Sequence, residues 1–424
     1  MIARHWQTTV LRIAFVLGLL FCFYVAARRG VAAWYFQERS PEAVQTAIRW
    51  DPHNPEYLDA LATLMHFYAR NEGPSEEVKL YEQAVQLSPH DAQFWADLGS
   101  AYEWTGRRDD ALRALERARG LFPNSPEINW KLANFYVRQG QTAQGLRALR
   151  KVLLEGEVPR REVFALATSA TRDNAAILRE TIPPQPGIFL DYLDFQAAEH
   201  IFSGAWETWS AFLALNESFD VRQSFSYLDA LVQQREVRHL SEAWSALAKR
   251  FPDEVGSLSA YPSLVANGSF ESDLLNGGLD WRVAPVEGAI VSMDPREAIE
   301  GKRSLRIAFD GTHNLDYFHV FQYVPVRPNT RYRFSGYQRS EGITTDSGPR
   351  FQIFDGYDPG KLLLNADGIV GDSGWIQRDL DFETPVDTSL LIIRIARSRS
   401  EKFDNKIAGT VWIDKVSLVP DQQR

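Results

Sequence analysis

The stretch AQFWADLGSAYEWTGRRDDALRALERARGLFPNS, residues 92–125, decides the fold of the N-terminal half of the chain. Trp95, Leu98 and Tyr102 make an apolar stripe on a first helix, and Gly99 lets a second helix approach closely. Ala111, Leu115 and Ala118 form the facing stripe, and Pro123 ends that second helix. A single hairpin of this kind cannot bury its own core, so similar neighbours must flank it.

Counted from Ala92, these residues occupy positions four, seven, eight and eleven, then twenty, twenty-four, twenty-seven and thirty-two, of a 34-residue window. The pattern resembles the tetratricopeptide (TPR) repeat. The resemblance implies an α-solenoid whose groove docks a protein segment. Flanking units are legible too. Val44, Ala47 and Pro52 fit a second repeat helix, so Ala33–Trp50 reads as a half repeat continuing out of the N-terminal segment. A unit from Pro55 carries Leu58, Leu61, Ala62, Tyr81, Ala84 and Pro89. Its length predicts a short insertion near Asn71-Glu72-Gly73-Pro74. A unit from Pro126 carries Leu132, Ala133, Tyr136, Gly145, Leu149 and Val152. TPR repeats are therefore expected over 33–157.

Over 158–258 the signature fades while helical periodicity persists, at Phe164–Thr171, Phe189–Phe202, Trp206–Leu215, Phe225–Gln233 and Leu240–Phe251. Pro183-Pro184-Gln185-Pro186-Gly187 marks a kink or loop. This region reads as divergent hairpins extending and capping the solenoid, or as a separate small helical domain.

The N-terminus carries a different signal. From Thr8 to Ala27 the chain is apolar except for Arg12, and Arg28 and Arg29 close the run. About twenty residues are needed to cross a bilayer as a helix, so 1–30 reads as a membrane anchor with a transmembrane helix over about 8–27. Val25-Ala26-Ala27 is small enough to resemble a signal-peptide cleavage site, although the two arginines that follow disfavour cleavage. Arg4, Arg12 and the amino terminus balance Arg28 and Arg29, so charge does not orient the helix.

The 424-residue chain as a whole is ordinary in composition, 45% apolar and 24% charged. A net charge of −9 argues against general nucleic-acid affinity. Twelve Trp, fifteen Tyr and twenty-five Phe suit repeat ridges, sandwich cores and sugar-stacking surfaces alike. The one cysteine, Cys22, lies in the apolar segment, which excludes an intrachain disulfide and a Cys-based zinc site.

Near Ser263 the period changes from 3.6 to 2. Alternating runs at Ser304–Phe309, His319–Val326, Tyr332–Gln338, Arg350–Phe354, Trp375–Phe382, Leu390–Ala396 and Thr410–Val419 predict a β-sandwich or jelly roll over 264–420. The motifs carrying this region begin with Asn267-Gly268-Ser269-Phe270-Glu271, Trp281 and Gly301-Lys302-Arg303-Ser304-Leu305. They continue through Val324-Pro325-Val326, Pro328-Asn329-Thr330-Arg331-Tyr332 and Gly374-Trp375 to Val411-Trp412-Ile413-Asp414. Their order resembles the galactose-binding-like jelly roll of xylanase-associated carbohydrate-binding modules. Asn267-Gly268 is expected to open the first strand, and Pro328-Asn329 to form a turn.

That resemblance implies a structural Ca²⁺ held by Glu271, Asp414 and the backbone carbonyl of Lys302, against the plainer reading of two carboxylates in turn hydrogen bonds. It also implies a glycan site, which needs exposed aromatic faces and polar groups to read hydroxyls. The candidates are Tyr317, Phe318, His319, Tyr337, Arg350, Gln352 and Tyr357, with Trp281, Trp375 and Trp412 expected mostly in the core. No His-Glu-x-x-His, Gly-x-Ser-x-Gly or Walker pattern occurs, and no sequence feature places a carboxylate pair across a cleft. The expected architecture is multidomain, α then β: transmembrane helix, TPR α-solenoid, jelly roll. The expected function is a non-catalytic membrane scaffold on the periplasmic side, binding a protein segment and a polysaccharide. A purely protein–protein scaffold is the alternative, and a glycan-active enzyme the lesser one.

Overall fold

The computed structural model describes residues 2–68, 74–255 and 263–421. The chain divides into two compact units, Met1–Phe195 and Gln196–Arg424.

In the first unit the repeats appear where the apolar spacing puts them. Helices α1 (Ile2–Phe36), α2 (Pro41–Trp50), α3 (Pro55–Tyr68), α4 (Pro74–Leu87), α5 (Ala92–Trp104), α6 (Arg108–Leu121), α7 (Pro126–Arg138) and α8 (Thr142–Glu155) alternate with short turns. Local chemistry starts them. Ser40 and Ser125 are N-caps whose hydroxyls accept from Ala43 and Ile128 N–H, and proline stands in the first turn after each cap. A Cβ on Gly99 would sit 2.7 Å from Leu115 Cγ and 3.2 Å from its backbone nitrogen, so only glycine lets α5 and α6 pack this closely.

The expected half repeat is whole. Helix α1 runs unbroken to Phe36. Ala32 is fully buried, and Tyr35 and Phe36 pack on a cluster with Val44, Ala47 and Tyr57. Charge predicts an end to the anchor helix at the arginines, but the helix continues beyond them and supplies the partner of α2. The insertion expected at Asn71-Glu72-Gly73 lies outside the described residues. Helices α9 (Arg160–Ala170), α10 (Asn174–Glu180) and α11 (Pro186–Ala198) follow. The short α10 has no counterpart in the sequence reading.

The second unit joins α12 (Phe202–Ala214), α13 (Phe225–Gln233) and α14 (Val237–Arg250) to the sandwich. The strands are β1 (Arg282–Val283), β2 (Ala289–Asp294), β3 (Ser304–Asp310), β4 (Tyr317–Pro325), β5 (Arg331–Ile343), β6 (Arg350–Asp355), β7 (Leu363–Asn365), β8 (Gly371–Glu383), β9 (Leu390–Arg397) and β10 (Ala408–Pro420). They form two antiparallel five-stranded sheets, β1-β4-β9-β6-β7 and β2-β3-β10-β5-β8. Between them lies one core that includes Trp281, Leu305, Val320, Phe334, Phe351, Ile393 and Ile413. Asn267-Gly268 opens no strand. Asn267 has φ +46°, and its side chain closes a turn by bonding the N–H and C=O of Ser272. Gln322, fully buried, pins the incoming segment by bonding the N–H and C=O of Ala266.

The last three helices share one compact unit with the sandwich. One stripe of α13 supplies the contact, at i, i+3, i+4 and i+7. A Cβ on Gly277 would meet Phe225 at 2.1 Å, and one on Gly278 would meet Trp244 of α14 at 2.2 Å and Leu228 at 3.2 Å. Asp229 pairs with Arg282, and Val232 C=O accepts the Tyr357 hydroxyl at 2.9 Å.

Candidate functional site

The outer face of the β1-β4-β9-β6-β7 sheet gathers the most binding chemistry. Register aligns Arg282, Phe321, Arg394, Gln352 and Asn365 in one row across five strands. Arg394 Nε donates to Gln352 Oε1 at 2.6 Å, and Gln352 Nε2 donates to Asn365 Oδ1 at 2.6 Å. The Arg394 guanidinium lies 4.6 Å from the Phe354 ring and 5.6 Å from the Phe318 ring. Burial pulls its pKa down from the usual guanidinium value, with Asp316 acting the other way. Phe318 is 46% exposed and stacks on His319 at 4.7 Å, while burial lowers the His319 pKa.

The seven candidate residues do not form one site. Phe318, His319, Arg350 and Gln352 come together on this sheet. Tyr317 does not: it is 1% exposed, packed edge-on to Phe309 inside the core. A register shift between Tyr317 and Val320 leaves Phe318, not Tyr317, turned outward. Tyr357 is engaged by the helices, bonded to Val232 C=O with the Arg235 guanidinium 4.8 Å from its ring. Tyr337 lies on the other sheet, its hydroxyl donating to Gln377 at 2.7 Å. Sequence reasoning missed Arg394 and Asn365, whose only signal is cross-strand register with Gln352. Helix α13 lies beside the row, meeting β1 at Arg282 and the end of β6 at Tyr357.

Trp281 is fully buried, as expected. Trp412 is buried differently. It sits on the outer face of its sheet beneath the Arg339 guanidinium, 4.6 Å from the ring centre, and its Nε1 donates to Asp294 at 3.1 Å.

Glu271, Lys302 and Asp414 converge around the loop preceding β3. Glu271 Oε1 accepts N–H from Lys302 (2.8 Å) and Arg303 (3.1 Å). Asp414 accepts N–H from Ile299 (2.8 Å), Glu300 (3.1 Å) and Lys415 (2.7 Å). Gly301, at φ +73°, is the one residue that fits, because a Cβ there would lie 2.4 Å from the Glu271 carboxyl. Burial raises the Asp414 pKa, and Glu271 adds to it. Amide N–H groups, that of Lys302 among them, already engage both carboxylates. As placed, these residues do not fit the calcium shell. Among the described residues no group of three or more His, Cys, Asp or Glu is placed to hold a metal ion.

In the first unit, α3, α5 and α7 present a second candidate face. His66 stacks on Trp104 at 3.6 Å, and Glu103 holds Arg138 through two bonds of 2.8 and 2.7 Å. Lys131 bridges Asp97 (2.5 Å) and Glu127 (3.0 Å), and Gln93 donates to both carboxylates at 3.0 Å. Burial, then Asp97, push the Asp59 pKa up to about 7. A cleft of about 690 Å³ opens between Trp104, Trp130, Asn134 and Arg138.

The tetratricopeptide repeat family model matches residues 78–120 and 105–169. These hairpins are tetratricopeptide repeats. The cytochrome c-type biogenesis protein CycH of Pseudomonas aeruginosa is 36% identical over 78 residues, 18% of this chain and 19% of CycH. The chain spans less than a fifth of the length of that relative. Among solved structures, MamA protein is 17% identical, with a TM-score of 0.33, covering 42% of this chain and 95% of MamA. A structure described as "CBM4 structure and function" is 16% identical, with a TM-score of 0.28, covering 37% of this chain and 99% of that one.

Proposed function

We propose that this chain is a non-catalytic, membrane-anchored adaptor that binds a protein segment through its TPR face and a glycan through its sandwich. The observation that carries the glycan half is the ordered row Arg394–Gln352–Asn365 beside the exposed Phe318 ring. Glycan binding needs a stacking face next to polar groups already held in position, because ordering them on binding would cost affinity. The TPR half rests on the repeats themselves and on the cleft between Trp104 and Trp130. The anchor is α1, whose stretch Leu11–Phe36 is long and apolar enough to cross a membrane. An extracytoplasmic setting, in bacterial envelope polysaccharide assembly or export, is the context that suits such a tether. Joining two weak sites on one anchored chain raises effective concentration without chemistry.

The test is a glycan array probed with the full chain in detergent, alongside Phe318→Ala and Gln352→Ala. Selective binding that both variants weaken about tenfold or more supports the reading. A folded wild-type chain that retains no glycan overturns the glycan half and leaves the protein scaffold.

A further inference from the structure

Arginines on the outer faces of the two sheets are partnered differently. On the sheet that holds β5 and β8, Arg306, Arg331, Arg333 and Arg339 each face a carboxylate: Asp294, Glu383, Asp381 and Glu297 in turn. On the β1-β4-β9-β6-β7 sheet, Arg282 pairs with Asp229. Arg350 and Arg394 have no carboxylate at ion-pair distance among the described residues. Asp355 is the sole acidic residue in the five strands of this sheet. It is already occupied: buried, it accepts from the Thr388 hydroxyl and from the N–H of Tyr357 and Asp358. Strand β8 of the other sheet alone carries Asp372, Asp379, Asp381 and Glu383.

Register makes the two arginines neighbours. In the antiparallel pair of β6 with β9, Gln352 stands opposite Arg394 and Arg350 opposite Ala396, so Arg350 and Arg394 lie on a diagonal. Alternation with the core residues Phe351, Ile353, Ile393 and Ile395 turns both outward. Diagonal positions are roughly 7–8 Å apart, within reach of each other for side chains this long. Two guanidinium charges so placed repel unless an anion lies between them. Gln352 accepts from Nε of Arg394, which leaves the terminal nitrogens of that fork without a protein acceptor among the described residues. Arg350 Nε is buried and has no protein partner. The Phe354 and Phe318 rings flank Arg394 and keep water from part of its surface, which strengthens a charge interaction made there. Asp316, exposed in the segment before β4, offsets the Arg394 charge only through space.

We propose that the glycan bound on this face is acidic, and that Arg350 and Arg394 together hold the carboxylate of a uronic acid. Planar guanidinium forks match a carboxylate through paired N–H···O bonds, whereas sugar hydroxyls would leave both charges uncompensated. The inference rests on the reading of this face as a glycan site, and the experiment separates the two. The full chain in detergent is titrated with two matched pairs: β-linked glucuronic acid oligomers against cello-oligosaccharides, and β-linked mannuronic acid oligomers against mannan oligosaccharides. Within each pair the linkage is the same and only the carboxylate differs. In at least one pair the acidic member should bind about tenfold or more tighter than the neutral one, and its binding should weaken as salt rises. Arg350→Gln, which breaks no ion pair among the described residues, should remove that preference and leave the neutral member's binding and the melting temperature as they were. Arg333→Gln, on the other sheet, changes net charge equally and should leave the preference intact. Neutral members bound as well as acidic ones, a preference that survives Arg350→Gln, or an equal loss in Arg333→Gln overturns the acid assignment and leaves the glycan site standing. Binding of neither member of either pair overturns both.

Discussion

Replacing Gly278 with alanine tests whether the last helices and the sandwich are one structure. Two costs add at this position. Gly278 has φ +58°, and a side chain held in the left-handed region costs about 1–2 kcal/mol. Its Cβ would lie 2.2 Å from Trp244 Cζ3 and 3.2 Å from Leu228 Cδ1, and Trp244 is fully buried. Overpacking a filled core costs about 1–3 kcal/mol. The sum is about 2–5 kcal/mol, or a fall of about 5–15 °C in the transition of the Gln196–Arg424 unit. Gly277→Ala, whose φ is not left-handed, meets Phe225 at 2.1 Å and isolates the packing cost. Gly374→Ala has nothing within 4 Å and is the control, expected within about 0.5 kcal/mol of wild type. Native-state hydrogen exchange on the full chain is the assay, following amides of α14 and of β9. Both sets should lose protection together in Gly278→Ala. Protection unchanged in both, or lost in α14 alone with β9 intact, would refute the argument that the contact welds helices to sandwich.

Asp280 is buried, one carboxyl oxygen accepts the Leu275 N–H, and burial raises its pKa to about 6. Its folded pKa exceeds the unfolded one, so the stability it gives is complete below about pH 4 and lost as pH rises through about 6. Asp280→Asn should flatten the fall of melting temperature over that window, by up to about 3 kcal/mol; an unaltered pH profile would contradict the burial argument. Chelator should leave the melting of the sandwich unchanged, because Glu271 Oε1 and both Asp414 oxygens already accept amide N–H; a calcium-dependent rise in Tm would show that the loop rearranges to bind it. Arg397, 1% exposed, donates to Ser347, Leu315 and Asn405 carbonyls and to Asn314 Oδ1. Arg397→Lys cannot reproduce that fork and should cost about 2–3 kcal/mol in denaturant unfolding, whereas an unchanged midpoint would show that water substitutes for the lost donors.

The repeat hairpins were legible because their determinants are local. Gly99 and Leu115 meet inside one window, and Ser40-Pro41 and Ser125-Pro126 start helices through their own chemistry. The seven long strands were legible from alternation, while β1, β2 and β7 were not. The two- and three-residue strands are too short to show a period, and β2 carries the mixed run Ala289–Asp294. The continuity of α1 is not legible in the sequence, because Arg28-Arg29 reads as a boundary for lipid solubility, yet a pair of arginines is no obstacle to helical backbone.

The glycan candidates show where linear reading stops. The linear sequence offers Tyr317, Phe318 and His319 side by side as candidates, but one register shift in the pairing of β4 with β9 decides which ring faces solvent. Tyr357 carried the same aromatic signal as Phe318, and a helix more than a hundred residues earlier takes it out of use. Arg394 and Asn365 carried no signal of their own. They matter because strand order places them on either side of Gln352. The same geometry constrains what the face accepts. The polar row crosses the strands, and α13 runs beside it from Arg282 to Tyr357. A sugar chain lying along the row is thus walled on one side by helix. A chain running along β6 toward Tyr357 would meet α13, so the proposed site favours a glycan that runs across β4, β9 and β6. Enlarging Gln352 should therefore obstruct chains of every length, whereas shortening Asn365, at the row's end, should weaken only those long enough to reach β7.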